Sequence, residues 1–299
     1  MQSLRDIRRE IKAIGATRQI MLTMKRISSA RIRKAQKQME QGRPFAQKMA
    51  LMIDNMRRDI ENETSPVRQL PDYKFFDASA SGCKNAGLLL ITADKGLCGA
   101  FNAMAIRETL KWIKRNDSVE KYIFVVGKKG RDFLARLKIP RLHIAGEIVG
   151  IFPRASYAHA SMIFETIRRL TYDNKVCKVD LIYNNFKSMS SQALVSKTFL
   201  PFNFEEIPGE EDLSDFIFEP DMLQIFLTLL PRYIGANIYR FLLESQAAEL
   251  AARMNAMEAA AENAGGIMAG LGVQLNKVRQ ETITNELTEI ISGANALEA

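Results

Sequence analysis

The chain has 299 residues, of which 47% are hydrophobic and 25% charged, with a net charge of +8; this composition suits a folded protein of one or two domains. No run of 18 or more apolar residues occurs, so nothing in it spans a membrane by itself. The charge-mixed start, Met1-Gln-Ser-Leu-Arg-Asp, has neither a secretory core nor the character of a transit peptide. Three scattered cysteines (Cys83, Cys98, Cys177) form no CxxC pair, and His143 and His159 are the only histidines. These five residues are read as core or surface filler rather than as a disulfide framework, a metal site or a triad.

Charge is unevenly spread. Residues 1–60 hold 15 Lys and Arg against 5 Asp and Glu, whereas residues 241–299 hold 3 against 8. A basic beginning and an acidic end can attract one another or face different partners.

In chain order, the spacing predicts first a long helix from Ser3 to about Ile60. Leu4, Ile7, Ile11 and Ile14 follow a 3-4-3 rhythm, continued by Ile20, Met24 and Ile27 and later by Phe45, Met49, Met52 and Met56. That rhythm makes a stripe narrow enough for a coiled-coil seam. Ser3 with Asp6 resembles a capping box. Gly42 and Pro44 are expected to kink or interrupt the helix, and Thr64-Ser-Pro66 and Pro71 to end it.

From Ala78 to Pro208 the period changes. Gly87–Ala93, Lys121–Val126, Val179–Tyr183 and Leu194–Leu200 read as strands. Between them lie helical stretches at Asn102–Lys114, Gly130–Leu137 and Ser156–Tyr172. This alternation predicts a small, mainly parallel, Rossmann-like α/β sheet domain at 78–208, after a linker at 61–77. From 209 a second linker leads to another very long helix, running from about Pro220 to Gly293. Pro231 is expected to mark a break or kink in it, and Gly265, Gly266, Gly270 and Gly272 to loosen its middle. Its stretch from Ala247 to Ala261 is dominated by alanine, which favours helix and adds little girth. Leu271, Leu275 and Val278 form a stripe that Ile283, Leu287, Ile290 and Ala294 carry onto a rotated face. At 1.5 Å per residue the two helices would measure roughly 80 and 100 Å, too long to wrap within the sheet domain. An antiparallel coiled coil projecting from an α/β shoulder is the expected architecture.

Candidate chemistry is sparse. Thr92–Asn102 follows a strand and opens a helix, the place of a phosphate loop in a doubly wound fold, but it lacks both the GxGxxG and the GxxxxGK[ST] order. Gly127-Lys128-Lys129-Gly130 invites the same suspicion, and a solvated turn is its commoner outcome. Asp94 has no second acid or histidine nearby in sequence, and Cys98 lacks an activating base, so no catalytic residue is assigned. The basic face around Lys25, Arg26, Arg31, Arg33, Lys34 and Lys37 suits nucleic acid, anionic lipid or an acidic protein partner. No aromatic residue for base stacking occurs in residues 1–44. A coiled-coil adaptor for nucleic acid or membrane, and a small nucleotide-dependent enzyme with helical arms, remain the readings that compete with an assembly protein.

Three separated motif regions narrow the choice. They are Arg18-Gln19-Ile20 through Met24, Lys25 and Ile27 to Ala35; Ile91–Asn102 with Val126–Gly130; and Leu230–Tyr233 through Arg253–Met257, Asn276–Gln280 and Glu289–Ala294. In order and spacing the chain resembles the gamma subunits of F-type ATP synthases over nearly its whole length. Ala100, Thr23–Ala30, Gln246–Ala248 and Gly265-Gly266 depart from the usual family pattern. The dithiol insertion of the light-regulated chloroplast form is missing, so thiol control of rotation is not expected, and a bacterial source fits. The resemblance implies a non-catalytic rotor shaft, one copy per complex, inside the ring of alpha and beta subunits. Epsilon and the membrane c-ring would be its other partners, without nucleic acid. ATP, ADP and Mg would be bound by alpha and beta, and no cofactor or metal by this chain. Placement is implied at the cytoplasmic face of the bacterial plasma membrane, as part of the complex. By the same resemblance Arg279 and Gln280 contact a loop of the beta subunit, Met24, Lys25 and Arg26 pass its acidic lever, and Ile290, Ile291, Ala294 and Leu297 form a bearing tip.

Overall fold

The computed structural model describes residues 3–60, 71–75, 84–202, 219 and 221–298. Helix α1 runs Leu4–Ile60 and α5 runs Met222–Glu298. Between them come a short 3-10 helix, Pro71–Phe75, then β1 (Ala86–Ile91), α2 (Phe101–Arg115), β2 (Lys121–Val126) and α3 (Lys128–Leu134). The order continues with β3 (Leu142–Ile148), α4 (Tyr157–Tyr172), β4 (Lys178–Phe186) and β5 (Gln192–Leu200). Two compact units result: residues 1–28 with 253–299, and residues 29–252.

The start of α1 is capped as its sequence suggests, with Ser3 Oγ donating to Asp6 at 2.8 Å and accepting from the Asp6 amide at 3.2 Å. Neither helix is interrupted at the expected positions. Pro44 lies inside α1 and Pro231 inside α5, and both helices stay continuous, as they do through Gly42 and Gly293. A proline removes one donor and crowds one carbonyl, and the many remaining helical bonds outweigh that local loss. The expected stop at Thr64–Pro66 lies outside the described residues.

In the second unit the sheet order is β3-β2-β1-β4-β5, with β1 to β4 parallel and β5 antiparallel at one edge. Strand alternation sorts the core into two layers. Leu89, Ile91, Phe124, Val126, Leu181 and Tyr183 face α4 and the first part of α5, where Phe226, Leu230, Ile234, Ile238 and Phe241 recur about once per turn. Leu88, Leu90, Ile123, Val125 and Ile182 face α2 and α3, against Ala105, Trp112, Ile113 and Leu134. Strand β3, which pattern reading missed, is the other edge; its Leu-His-Ile-Ala-Gly-Glu-Ile is only half-buried and offers no continuous apolar run.

Polar residues tie the layers. Lys121 is fully buried, and its ammonium donates to the carbonyls of Asn116, Asp117 and Val119 just beyond α2. Tyr183 donates to buried Glu244 at 2.7 Å, and Arg240 lies 3.4 Å from the same carboxylate. Burial, reinforced by that carboxylate, pushes the Tyr183 hydroxyl well above the usual tyrosine range. His159 accepts from the Ser156 amide at the start of α4, and His143 stacks on Tyr122 beside Glu120. The cysteines differ from expectation in one respect: Cys98 is buried, but Cys177, at the entrance to β4, is disulfide-bonded. A single crosslink needs no CxxC spacing, so residue spacing does not reveal it.

Candidate functional site: a partner-contact surface on the helix pair

The phosphate-loop position can be judged first. Ligands of open α/β sheets bind beyond the carboxyl ends of the strands, where the strand order reverses. Here that place, between β1 and β4, is occupied from within: Ala93, Cys98 and Phe101 pack on Ala248, with Phe186 and Ala252 against them. Asp94 is committed as well. It accepts from the amides of Lys128 (3.0 Å), Gly150 (2.8 Å) and Phe152 (3.3 Å), so it ties three loops together. In Gly127–Gly130 the glycines answer to packing. Gly127 has φ +95°, and a Cβ there would lie 2.2 Å from the Thr92 carbonyl oxygen; the Gly130 amide donates to Thr92 Oγ1 at 2.9 Å. Lys128 and Lys129 are exposed on the outside of this turn.

The first unit has a different design. On α1 the less exposed positions include Leu4, Ile7, Ile11 and Ile14, then Met21, Lys25 and Ser28, with Gly15 and Leu22 beside them; Arg18, in the same rhythm, is exposed. On α5 the run Met257, Ala261, Ala264, Met268, Leu271, Leu275, Val278 and Thr282 is among them, with Arg253, Met254, Asn255, Ala256, Glu258, Ala260, Gly265 and Gly272 also partly covered beside it. Both sets keep the 3-4 rhythm of a coiled-coil seam. Three contacts fix the pairing: a Cβ at Gly15 would lie 3.5 Å from Met268, Arg18 Nε donates to the Ala261 carbonyl at 3.2 Å, and Lys25 forms an ion pair with Glu258. Ten residues forward, Gly15 to Lys25, answer to ten back, Met268 to Glu258, so the helices are antiparallel without slippage.

Two sequence expectations change with this register. Ile20, Met24 and Ile27 do not continue the seam; they lie about 100° around α1 from it and are exposed. The rhythm alone cannot separate these stripes, because Arg18 and Lys25 hold seam positions where a pattern search looks for apolar residues. At the other end, the same register sets Leu4 opposite Arg279. Arg279 and Gln280 therefore stand, exposed, where α1 begins and α5 continues by itself among the described residues. Beyond them Ile283, Leu287, Ile290 and Ile291 are all exposed, Ile290 at 67%. The side chains of Ala294 and Leu297 lie outside the described residues. Lys25 is engaged by Glu258, while Met24 and Arg26 project outward. A helix pair with an apolar overhang and an outward apolar stripe has more apolar surface than it can cover by itself.

No helix among the described residues is long and apolar enough to cross a membrane. A family model described as ATP synthase matches residues 3–297. The ATP synthase gamma chain of Elusimicrobium minutum is 50% identical over 301 residues, covering 99% of each chain. That of Desulfitobacterium hafniense is 35% identical with full coverage of both. Among solved structures, a chain in the central stalk and c-ring of the Tetrahymena thermophila mitochondrial ATP synthase superposes with a TM-score of 0.57 at 26% identity, over 81% of this chain and 99% of that one. A chain of the Euglena gracilis mitochondrial enzyme reaches 0.64 at 21% identity, over 98% and 94%, a likeness of fold. The chain belongs to the ATP synthase gamma-chain family.

Proposed function

We propose that this chain works as the non-catalytic shaft of its ATP synthase, turning within a ring of alpha and beta subunits that hold the nucleotides and Mg. The observation that carries this reading is the apolar surface left over on the helix pair, above all Ile283 to Ile291 on the α5 overhang. Such a surface suits a close-fitting sleeve, in which small and apolar side chains slide without forming fixed polar bonds. Arg279 and Gln280, at the foot of the overhang, reach a loop of one beta subunit through charge-assisted hydrogen bonds. Met24, Arg26 and the basic face of α1 pass an acidic lever of beta, with Lys25 shared between that lever and Glu258. As the shaft turns, each beta subunit meets a different face and its site shifts between open and closed populations. The sheet domain meets epsilon and the membrane c-ring, which would hold the complex at the cytoplasmic face of a bacterial plasma membrane. With the switch-point crevice filled by Ala248 and Ala252, the chain binds no nucleotide of its own.

Co-expression with alpha and beta subunits tests the reading. One copy should co-elute with three alpha–beta pairs, with ATP turnover confined to the complex. A chain that stays apart, or binds nucleotide or DNA by itself, would overturn it.

A further inference from the structure

The seam of the helix pair contains an anomaly. Between Ile14 and Met21 the 3-4 rhythm places Arg18, and its guanidinium donates across the interface to a main-chain carbonyl, that of Ala261. A Cβ on Gly265 would lie 3.5 Å from the same Nε. The Ala261 carbonyl belongs to a continuous helix and has a second lone pair free for this extra bond.

An acceptor of this kind differs from the nearby ion pair. Arg18 is itself exposed, so the difference lies in the acceptor: Glu258 carries its carboxylate on a flexible stem, and such exposed ion pairs hold little. A helix carbonyl cannot rotate away, so a planar guanidinium bound to it fixes both the axial and the azimuthal position of one helix on the other. The alanines of α5 cannot do this by shape, since a smooth seam packs nearly as well one heptad along. The arginine can, because the seam offers its stem only one window. Ala261, Ala264 and Gly265 are small, whereas a shift of one heptad would bring Met254 and Met257, or Met268 and Leu271, into that strip. Single polar residues at seam positions are known to specify register at some cost in stability.

We propose that Arg18 is the register key of the helix pair: a positioning residue that locks α1 to α5 at Ala261 and Gly265 so that the pair turns as one body. Its role in torque transfer rests on the shaft reading above, but the register itself does not.

Two measurements separate these levels. Spin labels at Gln19→Cys and Asn263→Cys on the full isolated chain should give one narrow distance distribution. Adding Arg18→Ala should add a second population in which the helices are displaced by about 10 Å, one heptad. Arg18→Lys, which keeps a donor, should restore most of the single population, and Gly265→Leu, which fills the window, should split it as Arg18→Ala does. In the assembled enzyme in ion-tight vesicles, Arg18→Ala should lower ATP synthesis about five-fold relative to ATP hydrolysis, the scale of one lost hydrogen bond. A single unshifted distribution in both Arg18→Ala and Gly265→Leu would overturn the key. A split distribution with the synthesis-to-hydrolysis ratio unchanged would overturn its part in torque transfer. A wild-type complex that fails to couple would instead refute the shaft reading and leave the register result standing.

Discussion

The two units solve opposite packing problems. Residues 29–252 enclose a layered core of large side chains, with Gly127 placed where a side chain would strike backbone. The helix pair of residues 1–28 and 253–299 is thin, with alanine and glycine at its middle and isoleucine, valine and leucine pointing outward, Val273 at 72% exposure. The sheet unit covers its apolar core by itself; the helix pair leaves apolar side chains exposed. Its stability and its use therefore answer to different residues.

Substitution at Gly127 should break the contrast most severely. Gly127→Ala forces a Cβ to within 2.2 Å of the Thr92 oxygen at φ +95°, which should cost about 3 kcal/mol or more. Chemical denaturation of the isolated chain measures it; wild-type stability would mean that the Thr92 turn is loose. On the helix pair, Leu287→Gln should leave the isolated chain within about 0.5 kcal/mol of wild type. The same change should weaken assembly with alpha and beta by about 2 kcal/mol, the worth of one buried leucine. Titrated association read beside a melting curve compares the two, and equal losses in both would remove the distinction.

Tyr183→Phe takes the donor from buried Glu244 and should cost about 1–3 kcal/mol of sheet-domain stability. A pH titration of unfolding sharpens this region further. Burial, then Asp72, pushes the Tyr172 hydroxyl up to about 12 from the usual 10. A folded-state value above the unfolded one contributes stability below about pH 10, lost as pH rises through about 12. Tyr172→Phe should therefore flatten the alkaline loss. The smallest effect belongs to the helix pair: Lys25→Ala should change stability by about 0.5 kcal/mol or less, and high salt should erase the difference.

Legibility in the sequence followed the same divide. β2 was readable to the residue because both its faces are buried and its apolar run is continuous. β3 was not, since an edge strand half-open to water carries Leu, His and Glu without a clean alternation. On the helices, period alone showed that a seam exists but chose Ile20, Met24 and Ile27 over Arg18, Met21 and Lys25. Which stripe faces inward depends on the partner helix, and that information is not local. Arg279 and Gln280 were found through family motifs; their position at the end of the pair came only from the register. Asp94 was assigned no catalytic role from sequence, but the three amides that it accepts from came into view only with the fold.

The most direct test of the central claim is thiol labelling at the overhang. Leu287→Cys, followed by peptide-resolved mass spectrometry, should react at the rate of a free thiol in the isolated chain. It should become protected when the chain assembles with alpha and beta subunits, while Ile144→Cys on the β3 edge stays reactive. A cysteine at 287 that labels equally fast in both states would show that no sleeve covers the overhang, and the shaft account would fail at its base.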